Sequence, residues 1–220
     1  MTQPVSRNSA PPPGHATDEI HGVDTDLHEL RLQIVIDYLH AIGARSVLDL
    51  GCGNGDLLVR MAAHRQFDHI VGMDIASDML AEARGRLAGL DTPERIIDVR
   101  HASFLHADME LSGFDVAVML ETIEHVDPGQ LDKVERAVFA GHRPQFVIIT
   151  TPNCEYNVVH GMPHWAVRHP DHRFEWDRAR FRRWAIGVAA RNGYRPSFVD
   201  IGPWHPDFGS STQMALFGPA

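Results

Sequence analysis

"VLDLGCGNG", residues 47–55, is the stretch on which the architecture of this 220-residue chain turns. Val47-Leu48-Asp49-Leu50 is apolar apart from one acid, and reads as a short strand. Gly51, Gly53 and Gly55 come at once after it. Glycine lets a backbone turn sharply and lets a ligand approach it closely. A strand running into such a loop, with a helix behind it to about residue 65, is the first half of a strand–helix–strand unit.

The rest of the chain repeats that alternation. Upstream, Leu27, Leu30, Ile34, Leu39 and Ile42 fall at helical spacing, which predicts a helix over 26–42 closed by Gly43. Downstream, strands are predicted over 69–75, 94–103, 114–120 and 145–150. Helices are predicted over 77–90, capped by Ser77 or Asp78, over 129–142, and from Asp177 to Asn192 with Gly193 just past the end. "PSFVDI" (196–201) and "TQMALF" (212–217) read as closing strands. The pattern predicts an α/β domain with a mainly parallel seven-stranded sheet and helices on both faces. Residues 151–176 remain a long loop, a length that usually serves function. In such sheets ligands bind outside the carboxyl ends of the strands.

Composition narrows the class. An apolar content of 44% supports one full core. No run of eighteen apolar residues occurs, and "MTQPVSRNSAPPPGHATDE" lacks the apolar segment of a signal peptide. Residues 1–23 read as a disordered leader, with Pro11-Pro12-Pro13 favouring extended backbone. Residues 24–220 read as the domain. Two cysteines give no disulfide framework, so a cytoplasmic location is expected. A net charge of −9 argues against a nonspecific nucleic-acid binder. Residues 165–195 are the exception. Arginines 168, 173, 178, 180, 182, 183, 191 and 195 face three acids there. The segment is either a solvated face or a local surface for phosphates. Phe181, Trp184, Ala185 and Val188 fall at core spacing on the same helix, leaving only its outer arginines for binding.

The glycine loop points to an adenosine-containing cofactor. Asp74 ends the second strand, where an acid suits ribose hydroxyls. A nicotinamide site prefers glycine three residues after Gly53; Asp56 stands there and would repel a pyrophosphate. S-adenosylmethionine carries a sulfonium, an ammonium and no phosphate, so Asp49 and Asp56 suit it better. Ser103, after the third strand, is placed to face the adenine.

A second cluster lies after the fourth strand. "VMLETIEHVDP" (118–128) carries Glu121, Glu124 and His125. In a helical turn these share one face. Two neighbouring carboxylates repel unless one protonates or a cation joins them. The long loop adds His160, His164, His169 and His172 at the same sheet edge. His172 is the best fourth ligand, since Asp171 precedes it and the aromatics of "RFEW" anchor it by packing. Two Glu and two His make a mixed oxygen and nitrogen set for one divalent metal. It suits Mn²⁺, Co²⁺ or Fe²⁺ better than Mg²⁺, which favours oxygen alone.

"ETIEHV", "TPNCEYNVV", "HPDHRFEWDRARFRRWA" and "FGSSTQMALF" together resemble the methyltransferase domain of Hen1, a family of small-RNA 3′-terminal ribose 2′-O-methyltransferases. The resemblance spans roughly residues 24–217. It implies a Rossmann-like class I S-adenosylmethionine-dependent methyltransferase fold, with a metal-binding loop at about 151–176. By that resemblance Glu121, Glu124, His125 and His172 match the metal ligands and the catalytic set. Asp49, Gly51, Gly53, Asp74 and Ser103 match positions around the cofactor. The implied cofactors are S-adenosylmethionine and one divalent metal (Mn, Mg or Co).

The implied substrate is an RNA 3′ end with free 2′ and 3′ hydroxyls, both oxygens chelated by the metal. A 3′-phosphate end is then expected to be inert. Bacterial family members often carry an extra amino-terminal domain for an RNA-repair kinase-ligase partner, and plant relatives add RNA-binding domains. Neither is expected in this chain, which reads as a free-standing catalytic domain whose missing RNA contacts could come from a separate RNA-repair or RNA-binding protein. No membrane partner is expected. Two other readings stay open from the residues alone: a metal-dependent O-methyltransferase on a small-molecule vicinal diol, and a noncatalytic RNA 3′-end binding module.

Overall fold

The strand read from residues 47–50 is β1 (Ser46–Leu50). It pairs in parallel with β2 (His69–Asp74) on one side and β4 (Val116–Leu120) on the other. β3 (Ile96–His101) extends the sheet beyond β2, and β5 (Phe146–Pro152) beyond β4, again in parallel. β7 (Gly209–Pro219) and β6 (Tyr194–His205) complete that edge antiparallel. The order is β3-β2-β1-β4-β5-β7-β6, a mainly parallel seven-stranded sheet as the sequence pattern predicts. The computed structural model describes residues 16–90, 95–163 and 165–220, with the side chains of 16–25 left aside.

Successive residues of a strand face opposite sides of its sheet, and the continuous apolar runs here feed two cores. Val47, Val116 and Val118 point to one face, under α1 (Ala16–Ile42), α2 (Asp56–Ala62) and α3 (Ser77–Ala88). Leu48, Ala117 and Met119 point to the other, with Val134 of α4 (Leu131–Val134) and with Phe181, Ala185 and Val188 of α5 (Arg178–Asn192). Phe139 and Phe217 meet edge to face in that second core, ring centroids 4.9 Å apart and both fully buried. Each such side chain contributes about 1.5–3 kcal/mol by burial.

α5 forms as its sequence predicts. The Asp177 carboxylate accepts the Arg180 amide at 2.6 Å, and Gly193 leaves the helix at φ 76°. Trp184 packs against the core only in part.

Beyond shifts of a few residues at strand and helix ends, three regions differ. α1 begins at Ala16, so residues 16–23 are helical rather than leader; residues 1–15 lie outside the described residues. The helix expected over 129–142 is a 3₁₀ turn, α4, and a π turn over Glu135–His142. The Arg143 amide closes that turn on Val138 oxygen, five residues back. The loop 151–176 is organised rather than open, since β5 runs to Pro152, a 3₁₀ turn covers Cys154–Val158, and Asn153 bridges Trp176. No helix among the described residues is long and apolar enough to cross a membrane.

Candidate active site

The carboxyl edge of β1, β2 and β4 opens on a cavity of about 510 Å³, lined in part by Gly51, Gly53, Asp74, Ser103, Glu121 and His125. Members of both sets expected from sequence thus share one space, while Asp49, Glu124 and His172 lie outside its lining. Gly51 sits at φ 83°, and a Cβ there would overlap the Thr122 side chain. The first loop and the turn after β4 can approach only because that side chain is missing.

Asp74 shapes this loop directly. Its Oδ2 accepts the Gly53 amide at 2.9 Å and its Oδ1 the Ala76 amide at 2.9 Å. Each oxygen keeps a further lone pair. Ser103 lines the same cavity, and its Oγ accepts the Leu105 amide at 3.3 Å.

Asp49 is 2% exposed, and its Oδ2 has no hydrogen-bond partner. Burial, reinforced by Asp74 and Asp56, raises its pKa to about 7. A buried carboxylate with an orphaned oxygen favours a cation. Asp56 behaves differently from the sequence reading. It pairs with Arg86 at 2.7 Å and His28 at 3.1 Å, so its charge is already answered within the protein.

Beyond β4 the chain turns through Glu121, whose φ of 49° is unusual for a residue with a side chain. Such a backbone costs about 1–3 kcal/mol and is typical of functional sites. The Glu121 amide donates to Thr150 Oγ1 at 2.9 Å. A 3₁₀ turn over Ile123–His125 comes next. The Arg173 amide then bonds the Glu124 carbonyl at 2.7 Å, drawing the distant loop onto this turn.

The result is a cluster of Glu124, His125 and His172 whose donor atoms all lie within 4.8 Å of one another. Glu124 is fully buried. Thr151 Oγ1 donates to its Oε2 at 3.0 Å, and its Oε1 has no partner. Burial first, then the nearby Glu121 carboxylate, raise its pKa well above the ordinary range. Burial and the neighbouring His172 and His169 rings lower that of His125. An acid kept from ionising beside an imidazole kept from protonating makes a pair that a divalent cation satisfies. The mixed donors and the orphaned carboxylate oxygen fit such a metal.

Glu121 is not among the three donors gathered there. Its Oε2 pairs with Arg31 at 3.1 Å, while its Oε1 is buried and unpartnered. His169 stands at the rim, its ring 5.6 Å from that of His172. His160 is engaged with Ser211 at 3.1 Å, and His164 lies outside the described residues.

Beyond the aromatics of "RFEW", several partners were left out of the sequence reading. Glu175 holds His172 Nδ1 at 2.6 Å, leaving Nε2 for a ligand. Phe174 and Trp176, on either side of Glu175 in the chain, stack at 4.3 Å. Arg31 comes from α1, some ninety residues before Glu121. The E-W of "RFEW" hinted at the first of these; nothing local signalled Arg31 or Thr151.

The arginine segment is partly spent. Arg168 reaches Asn157, Ser211 and Asn153, Arg178 pairs with Glu155, and Arg191 with Glu135. Arg173, Arg180, Arg182, Arg183 and Arg195 are exposed.

Comparison with known proteins agrees with this geometry. The methyltransferase domain family matches residues 47–145. The small RNA 2′-O-methyltransferase of Gallus gallus is 34% identical over 202 residues, covering 87% of this chain and 53% of that protein. The corresponding Mus musculus protein is 34% identical over 203 residues, covering 87% and 50%. The chain thus spans about half the length of these curated relatives. The crystal structure of the methyltransferase domain of bacterial CtHen1-C is 39% identical with a TM-score of 0.80, covering 88% of this chain and 99% of that one.

Proposed function

Because the chain belongs to the Hen1 methyltransferase family, we propose that it transfers a methyl group from S-adenosylmethionine to the 2′-hydroxyl of a 3′-terminal RNA nucleotide. The observation that carries this reading is the junction of two sites in one cavity. Gly51, Gly53 and Asp74 of the cofactor side line the same 510 Å³ space as Glu121 and His125, and His125 belongs to the Glu124–His125–His172 cluster.

Glu124, His125 and His172 would hold a divalent metal, and the free Oε1 of Glu121 supports its inclusion as a fourth ligand. Such a metal supplies Lewis acidity, which lowers the pKa of a hydroxyl. The protein's own residues supply position. Thr151 fixes Glu124, and Glu175 fixes the tautomer and orientation of His172. Asp49 receives the cationic end of the cofactor, and Gly51 and Gly53 let it approach the backbone. Arg173, next to His172, and the outer arginines of α5 face incoming phosphates. The enzyme works by proximity and orientation rather than through a covalent intermediate.

The test is labelled methyl transfer to a short synthetic RNA, with and without chelator. Transfer to a free 3′ end, loss with chelator and loss with a 3′-phosphate are expected. Equal transfer to a 3′-phosphate end would refute recognition of the paired hydroxyls. Transfer to a catechol with none to RNA would move the activity to small-molecule diols.

A further inference from the structure

Trp165 is the most exposed large apolar side chain among the described residues, at 77%. By contrast Trp176 is 3% exposed and Trp184 packs on the core. An indole left in water forgoes the burial that makes tryptophan useful to a fold. The turn that carries it is nevertheless built. The Ala166 amide closes on Pro163 oxygen at 2.9 Å. Asn157, itself fully buried, donates Nδ2 to the Ala166 carbonyl at 2.7 Å and to Glu175 Oε2 at 3.2 Å. The Arg168 amide donates to Glu175 Oε1 at 2.6 Å.

That last atom is the one that also holds His172 Nδ1 at 2.6 Å. A single carboxylate therefore ties the tryptophan turn to the metal-site histidine. An exposed indole on a turn held by buried polar contacts, at the edge of the proposed catalytic centre, is a preformed surface with nothing of its own to cover.

We propose that Trp165 is a stacking platform for an unpaired base at the 3′ end of the RNA, setting the terminal ribose in register with the His172 side of the site. This rests on the reading of the protein as an RNA 3′-end methyltransferase. Stacking on an indole accepts any base, because each has a π face, so the contact aligns the end without selecting its sequence. Because Asn157 and Glu175 hold Ala166 and Arg168, the backbone that follows Trp165 needs little ordering on binding. Trp165 is a positioning residue: it touches the substrate away from the reacting atoms.

The experiment is steady-state methyl transfer by the full chain to a short single-stranded RNA. It compares wild type, Trp165→Ala and Trp165→Phe, each with an intact RNA and with one abasic at its last two positions. Trp165→Ala is expected to raise KM for intact RNA roughly 5- to 100-fold, the range of base–aromatic stacking, with most of the loss in KM rather than kcat. KM for S-adenosylmethionine stays constant, and Trp165→Phe restores most of the RNA affinity. The abasic RNA is expected to bind wild type as weakly as intact RNA binds Trp165→Ala, and to lose nothing further in the variant. An active wild type with unchanged RNA KM in Trp165→Ala overturns the platform alone. A wild type that methylates no RNA overturns the reading beneath it, and the platform with it.

Discussion

Glu175 Oε1 lies 2.6 Å from His172 Nδ1, with the carboxylate 1% and the imidazole 9% exposed. The pairing fixes which nitrogen of His172 can bind a ligand. Burial works against the Glu175 charge, but His172, the Arg168 amide and the Arg168 guanidinium outweigh it and hold the carboxyl below its usual pKa. An ionised acceptor keeps the proton on Nδ1 and Nε2 free.

Glu175→Gln should therefore weaken divalent metal binding about 10- to 100-fold, the usual effect of losing a ligand's orienting partner. Calorimetric titration with Mn²⁺ in the absence of RNA measures it. An unchanged affinity would show that the Glu175 charge is not needed to hold His172.

Glu124 is fully buried and repelled by Glu121. Glu124→Gln should stabilise the metal-free protein, by roughly 2–4 °C in melting temperature for each ~1 kcal/mol recovered. Mn²⁺ at about a hundred times its Kd should raise the wild-type midpoint by roughly 5–10 °C and leave the variant's where it was. Thermal melts with and without the ion decide this, and an equal shift in both proteins would remove Glu124 from the ligand set.

Asp49 sets a pH dependence. Its folded carboxyl keeps a proton up to about pH 7, whereas the ordinary value is 3.8. Between those values the folded state binds more protons than the unfolded one, so stability falls as pH rises through this window and levels off above it. Asp49→Asn should match wild type near pH 4 and exceed it at pH 8 in denaturant titrations without cofactor. S-adenosylmethionine should bind wild type more tightly as pH rises through 7, when the carboxylate ionises, and the variant with no such rise.

Gly51→Ala combines a left-handed φ of 83° with overlap on Thr122. We expect a loss of about 2 kcal/mol or more in stability and a cofactor affinity at least tenfold weaker. Adding Thr122→Ala should recover part of the loss, since the overlap is relieved while the backbone strain stays. A double-mutant cycle of unfolding free energies reports that coupling, and strict additivity would place the two residues out of contact.

Much of this was legible in the order of residues. The strand into Gly51-Cys52-Gly53, the acid ending β2, and the alternation of apolar runs with helical periods set the sheet, because hydrophobic spacing is a local property that survives into the fold. That Glu124, His125 and His172 come together was also legible, the first two by spacing and the third by its flanking acid and aromatics. Tertiary structure alone decided what each charge faces. Asp56 offered an anion to a ligand and turned out to belong to Arg86 and His28. Arg168 belonged to a segment read as either a solvated face or a phosphate surface, and is instead bonded to Asn153, Asn157 and Ser211. Glu121 is shared with Arg31 from the first helix. A hydrogen bond is satisfied by whichever partner the packed chain brings within about 3 Å, and segments tens of residues apart carry no mark of that meeting until the sheet has assembled.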